Sequence, residues 1–62
     1  MRKWTPERVR ELRQRFGLSQ TLFGELLGLS LRTIQSIESG ERAVTRTQSL
    51  ALSYIDMEGE NA

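Results

Sequence analysis

At 62 residues the chain has room for one domain, and a domain of this size buries only about 60% of the surface that its unfolded chain exposes. It has no cysteine and no histidine, which excludes disulfides and the commonest zinc ligands, and with no paired acidic cluster on one face the usual nucleophiles, general bases and metal sites are missing or isolated, so no metal site, cofactor or catalytic residue is expected and the chain is not read as an enzyme. The net charge is only +1, yet residues 1–15 carry six basic groups against Glu7 and Glu11, while residues 47–62 carry only Asp56, Glu58 and Glu60; the amino-terminal end could face a polyanion.

The first predicted helix opens at Thr5, an N-cap residue, with Pro6 at the first helical position, where its missing N–H costs nothing. Trp4 can pack on Val9 as a hydrophobic staple, and Val9, Leu12 and Phe16 continue as an apolar stripe until Gly17 ends the helix. The tripeptide Gly17-Leu18-Ser19 recurs as Gly28-Leu29-Ser30. Each copy reads as a connection: the glycine takes the left-handed conformation that closes one helix, the leucine folds back on it, and the serine caps the next. Between the copies a second helix runs from Gln20 to about Leu27, with Leu22, Phe23, Leu26 and Leu27 on its apolar side. A third runs from Leu31 to about Ser39, with Leu31, Ile34, Ile37 and Glu38 inward, and Gly40 ends it. Thr45 and Gln48 form a capping box for a fourth helix, whose inner stripe is read as Thr47, Leu50, Ala51, Tyr54, Ile55 and Glu58. No stretch alternates as a strand would.

The expected organisation is a flexible basic N-terminus at 1–3, one domain at 4–58 and a frayed tail at 59–62. No apolar run approaches the roughly 20 residues that cross a bilayer, and residues 1–10 lack the apolar stretch of a signal peptide. A soluble, cytoplasmic protein without a membrane partner is expected.

Two short helices joined by a three-residue turn containing glycine are the layout of a helix-turn-helix, here spanning about residues 20–39. Gly24 fits a close approach of these helices, and Gly28 fits a turn that needs positive φ. The combination of Arg13, Gly17 to Gln20, Gly24, Gly28, Ile34 and Glu38-Ser39-Gly40 resembles the lambda-repressor-like helix-turn-helix domains, which include phage repressors, Cro proteins and Xre-type regulators. The resemblance covers roughly Val9 to Ile55. It implies an all-α, compact domain of four helices, or five. It departs at Gly24, where members often carry alanine, at Thr21 and Leu22, where they often carry acidic residues, and at Thr45, where many carry proline.

A recognition helix presents its outer face to the major groove, where each base pair shows a distinct hydrogen-bonding pattern. At about 100° per residue, with Ile34 inward, Arg32 and Ser36 fall opposite it and Thr33 and Gln35 on the flanks. These four residues are the candidate base readers: Arg32 suits guanine, Gln35 suits adenine, and Thr33 and Ser36 permit close approach. Leu31 is assigned to the core in preference to a thymine methyl. Candidate phosphate contacts are Gln20 and Thr21 at the N-terminus of the second helix, and Arg42 and Arg46 around the start of the fourth. Arg2 and Lys3 could add a basic arm, while Arg10 and Arg15 are left between DNA-facing and solvated. The resemblance implies that Arg13 and Glu38 form a structural ion pair, and that Arg46 approaches the DNA backbone or minor groove.

The implied function is sequence-specific binding of double-stranded DNA by a small transcriptional regulator, a repressor of its own or a neighbouring promoter. The partner would be a palindromic operator bound by a homodimer, with Leu52 and Met57 supplying surplus apolar surface and no small-molecule ligand expected. The alternative is a protein-interaction module of the same fold that binds a partner chain.

Overall fold

The computed structural model describes residues 3–61. Its helices are α1 (Pro6–Arg15), α2 (Gln20–Leu27), α3 (Leu31–Ser39) and α4 (Arg46–Asn61), and no strand occurs among the described residues. No helix there is long and apolar enough to cross a membrane. The fold is all-α with four helices; no fifth appears among the described residues.

Helix boundaries follow from local chemistry. The hydroxyls of Thr5, Ser19 and Ser30 accept from the backbone N–H groups of Arg8, Leu22 and Thr33, and Thr45 and Gln48 satisfy each other's backbone N–H groups at 3.0 and 3.2 Å. Such caps remove donors that a helix start would otherwise leave unpaired. The two Gly-Leu-Ser turns close by the same pair of hydrogen bonds. Gly17 N–H donates to the Gln14 carbonyl and Leu18 N–H to that of Arg13; Gly28 N–H donates to Glu25 and Leu29 N–H to Gly24. Both glycines have positive φ, 67° and 73°, so the pattern is a Schellman closure used twice. Leu18 and Leu29 then pack against the core.

That core consists of Val9, Leu12, Phe23, Ile34, Ile37 and Leu52, with Trp4, Leu27, Val44 and Ile55 packed around it. The α2–α3 corner is tight. A Cβ at Gly24 would lie 2.6 Å from the Leu29 carbonyl oxygen and 3.3 Å from Ile34 Cγ1, so the missing side chain admits the turn itself.

Several apolar residues stand elsewhere than their spacing suggests. On α2, Phe23 is buried and Leu27 half-buried, but Leu22 and Leu26 are exposed; Leu31 at the start of α3 is exposed too. The inner stripe of α4 was expected to include Leu50 and Tyr54, which are 60% and 61% exposed, whereas Leu52, expected outside it, is 1% exposed. Gln48, Ala51, Leu52, Ile55 and Gly59 carry the inward side. The reason is that α4 has two neighbouring apolar stripes, Leu50-Tyr54-Met57 and Ala51/Leu52-Ile55, and helical periodicity alone does not choose between them. The helix also continues past Gly59 to Asn61. A Cβ at Gly59 would meet the Phe16 ring at 2.5 Å, so this glycine lets the end of α4 lie against the end of α1.

Candidate nucleic-acid interface

Ile34, Ile37 and Glu38 fix the inner side of α3, at 0%, 2% and 5% exposure. Glu38 is held from three directions. Arg13 donates through Nε at 2.7 Å and Nη2 at 3.0 Å to its two carboxylate oxygens, and the Gln20 amide donates to Oε1 at 3.2 Å. Arg13 also donates to the Leu18 carbonyl, and Arg10 to the backbone carbonyl of Glu38 at 2.8 Å. A buried charge is tolerated where its lone pairs are used in this way, and among the described residues no buried side-chain polar atom lacks a partner. The network fastens α1, the first connection and the start of α2 to the far end of α3. It also places the Gln20 side chain against Glu38, which leaves the backbone at Gln20 and the exposed Thr21 as the outward part of the α2 N-terminus.

The remaining arginines of α1 are likewise engaged within the fold. Arg8 donates to the Lys3 carbonyl and lies 4.1 Å from the centroid of the Trp4 ring; Arg15 pairs with Asp56 Oδ1 at 2.6 Å. Arg10 is therefore a fastening, neither DNA-facing nor simply solvated, while Arg15 is paired and still half in solvent. In contrast, the side chains of Arg32, Arg42 and Arg46 are exposed and make no hydrogen bond or ion pair among the described residues. Lys3 is exposed as well, and Arg2 lies outside the described residues.

On the outer side of α3, Arg32 and Gln35 are exposed, while Thr33 and Ser36 are half-buried. The Thr33 hydroxyl bonds with that of Ser30 at 2.9 Å, and Ser36 donates to Glu41 Oε2 at 3.3 Å. Glu41 was not singled out from the sequence. It reaches this surface because the chain reverses at Gly40, after which the Arg42 backbone N–H donates to the Ser36 carbonyl. The only local signal is the Glu-Ser-Gly-Glu run itself, in which a helix-ending glycine precedes a second acid. Leu31, expected in the core, adds an exposed apolar group at the N-terminal end of the same helix.

A short supporting helix anchored by the buried Phe23, a left-handed glycine turn at Gly28 and a third helix with a polar outer side define a helix-turn-helix domain. A protein-family profile described as "Helix-turn-helix" matches residues 9–53, and the chain belongs to this lambda-repressor-like family. It is similar to a Pyrococcus furiosus protein named as an HTH-type transcriptional regulatory protein, with 41% identity over 49 residues, or 79% of this chain and 16% of that protein. It is also similar to YgzD of Bacillus subtilis, named as an uncharacterized HTH-type transcriptional regulator, with 47% identity over 34 residues, or 55% of this chain and 52% of that one. The chain thus spans about half of one relative and a small part of the other. No solved structure matches it significantly.

Proposed function

We propose that the chain binds double-stranded DNA sequence-specifically, as a cytoplasmic transcriptional regulator that represses its own or a neighbouring promoter, with α3 in the major groove. The observation that carries this reading is that Arg32 and Gln35 are exposed on the outer side of α3 and that Arg42 after it and Arg46 at the start of α4 are exposed as well, all three arginines without an internal partner among the described residues. Arg32 would bond a guanine edge and Gln35 an adenine edge, with Thr33 and Ser36 shaping close approach. The backbone at Gln20, Thr21, Arg42 and Arg46 would hold phosphates, and Lys3 with Arg2 would extend the contact. Glu41 would orient Ser36 or accept from a cytosine amino group. Family membership and the names of the relatives support the DNA reading.

A molecule of 30 × 25 × 18 Å suits a single half-site, since successive half-sites lie about 34 Å apart. We place the homodimer contact on the exposed stripe Leu50, Tyr54 and Met57, in place of one containing the buried Leu52. Titration of a labelled duplex from upstream of the chain's own gene, with a scrambled duplex as competitor, tests the reading. Preference for the upstream duplex, with Tyr54→Glu weakening binding to two half-sites more than to one, supports it; equal affinity for both duplexes refutes sequence-specific recognition. The protein-interaction alternative draws on exposed Leu22 and Leu26, and it predicts partner binding insensitive to salt.

A further inference from the structure

A cavity of about 760 Å³ opens between the segment before α1, the C-terminal end of α3 and the first turn of α4. Pockets for small molecules combine largely apolar walls with a few polar groups, in volumes of roughly 300–1,000 Å³. Here Trp4, Ile37 and Val44 supply the apolar wall, and Lys3, Arg42 and Arg46 supply three cations. No aspartate or glutamate among the described residues lines it. The wall is also fixed in place. The Trp4 indole N–H donates to Ser53 Oγ at 3.1 Å, and Arg8 stacks on the ring, so little side-chain freedom remains to be lost on binding. Because α4 begins at this rim, its dipole adds to the positive field.

We propose that this cavity binds a small aromatic carboxylate, with its ring on the Trp4–Ile37–Val44 wall and its carboxylate among Lys3, Arg42 and Arg46. Three cations without a lining acid select an anion. An indole wall beside a buried isoleucine selects an apolar ring, which a bare phosphate or acetate lacks. Occupancy has a further consequence, which rests on the DNA reading above: Arg42 and Arg46 cannot serve the ligand and a DNA phosphate equally, so the bound acid weakens DNA binding.

Trp4 is the chain's only tryptophan, so its fluorescence reports on the cavity wall. The intact chain is titrated, without DNA, with 3-phenylpropionate and with its neutral counterpart 3-phenylpropan-1-ol. The expected result is a saturable change with the acid and about tenfold weaker binding of the alcohol, with Arg46→Gln lowering acid affinity about two- to fivefold while circular dichroism stays unchanged. Equal binding of acid and alcohol, or no saturable change with either, overturns the proposal. Lys3→Gln provides a second charge variant, expected to weaken the acid in the same range. Adding saturating acid to the DNA titration then tests the competition: unchanged DNA affinity overturns that step. Failure of the DNA reading appears separately, as absence of DNA binding in the ligand-free sample.

Discussion

The arginines of α1 and those around α3 are the same residue type put to opposite uses. Arg8, Arg10, Arg13 and Arg15 each reach an acceptor or ring within the chain, whereas Arg32, Arg42 and Arg46 reach none among the described residues. The contrast inverts the reading from charge alone. The most basic stretch of sequence holds the fold together, and the electrically balanced middle offers free cations to an anion. Linear charge density locates basic residues, but the acceptors already spent on them decide which ones remain available.

The largest expected effect of breaking this division is at Glu38. Glu38→Ala leaves Arg13 without its carboxylate and Gln20 without its acceptor in a part-buried setting, so unfolding free energy in urea should fall by about 3–5 kcal/mol, enough to unfold much of a domain this small. Arg13→Ala should cost a similar amount, and a double variant less than the sum of the two, because the second change removes the orphan left by the first. Next comes Arg32→Ala. Its urea midpoint should stay at the parent value, while affinity for the preferred duplex falls by about 1–3 kcal/mol and selectivity relaxes at one base pair. Arg46→Ala should weaken preferred and scrambled duplexes alike and lower the slope of log affinity against log salt by about one, again without loss of stability. The smallest effect belongs to Arg15→Ala. Its pair with Asp56 is half in solvent, so stability should drop by less than about 1 kcal/mol and the DNA salt slope should not move.

Much of the fold is legible in the sequence because the information is local. Thr5, Ser19, Ser30 and Thr45 mark helix starts by hydrogen-bonding three residues ahead, and Gly17 and Gly28 mark helix ends by a conformation that other residues adopt at a cost. Outer placement of Arg32 and Gln35 follows from one inward residue, Ile34, and the pitch of a helix. The orientation of α4 was not legible, because Leu50 and Leu52 are equally apolar and only the assembled core at Phe23 and Ile34 accepts one of them. Nor were the fates of Arg10 and Arg15. Their acceptors lie 28 and 41 residues away, beyond any local pattern. Glu41 escaped notice for a related reason, since its place beside Ser36 depends on the reversal at Gly40.

The division of the arginines is tested most directly by following arginine side-chain Nε–Hε resonances in the NMR spectrum as duplex DNA is added. The predicted result is that Arg32, Arg42 and Arg46 shift while Arg10, Arg13 and Arg15 keep their free-state positions. Shifts concentrated on the α1 arginines, with Arg32 unmoved, would contradict the account.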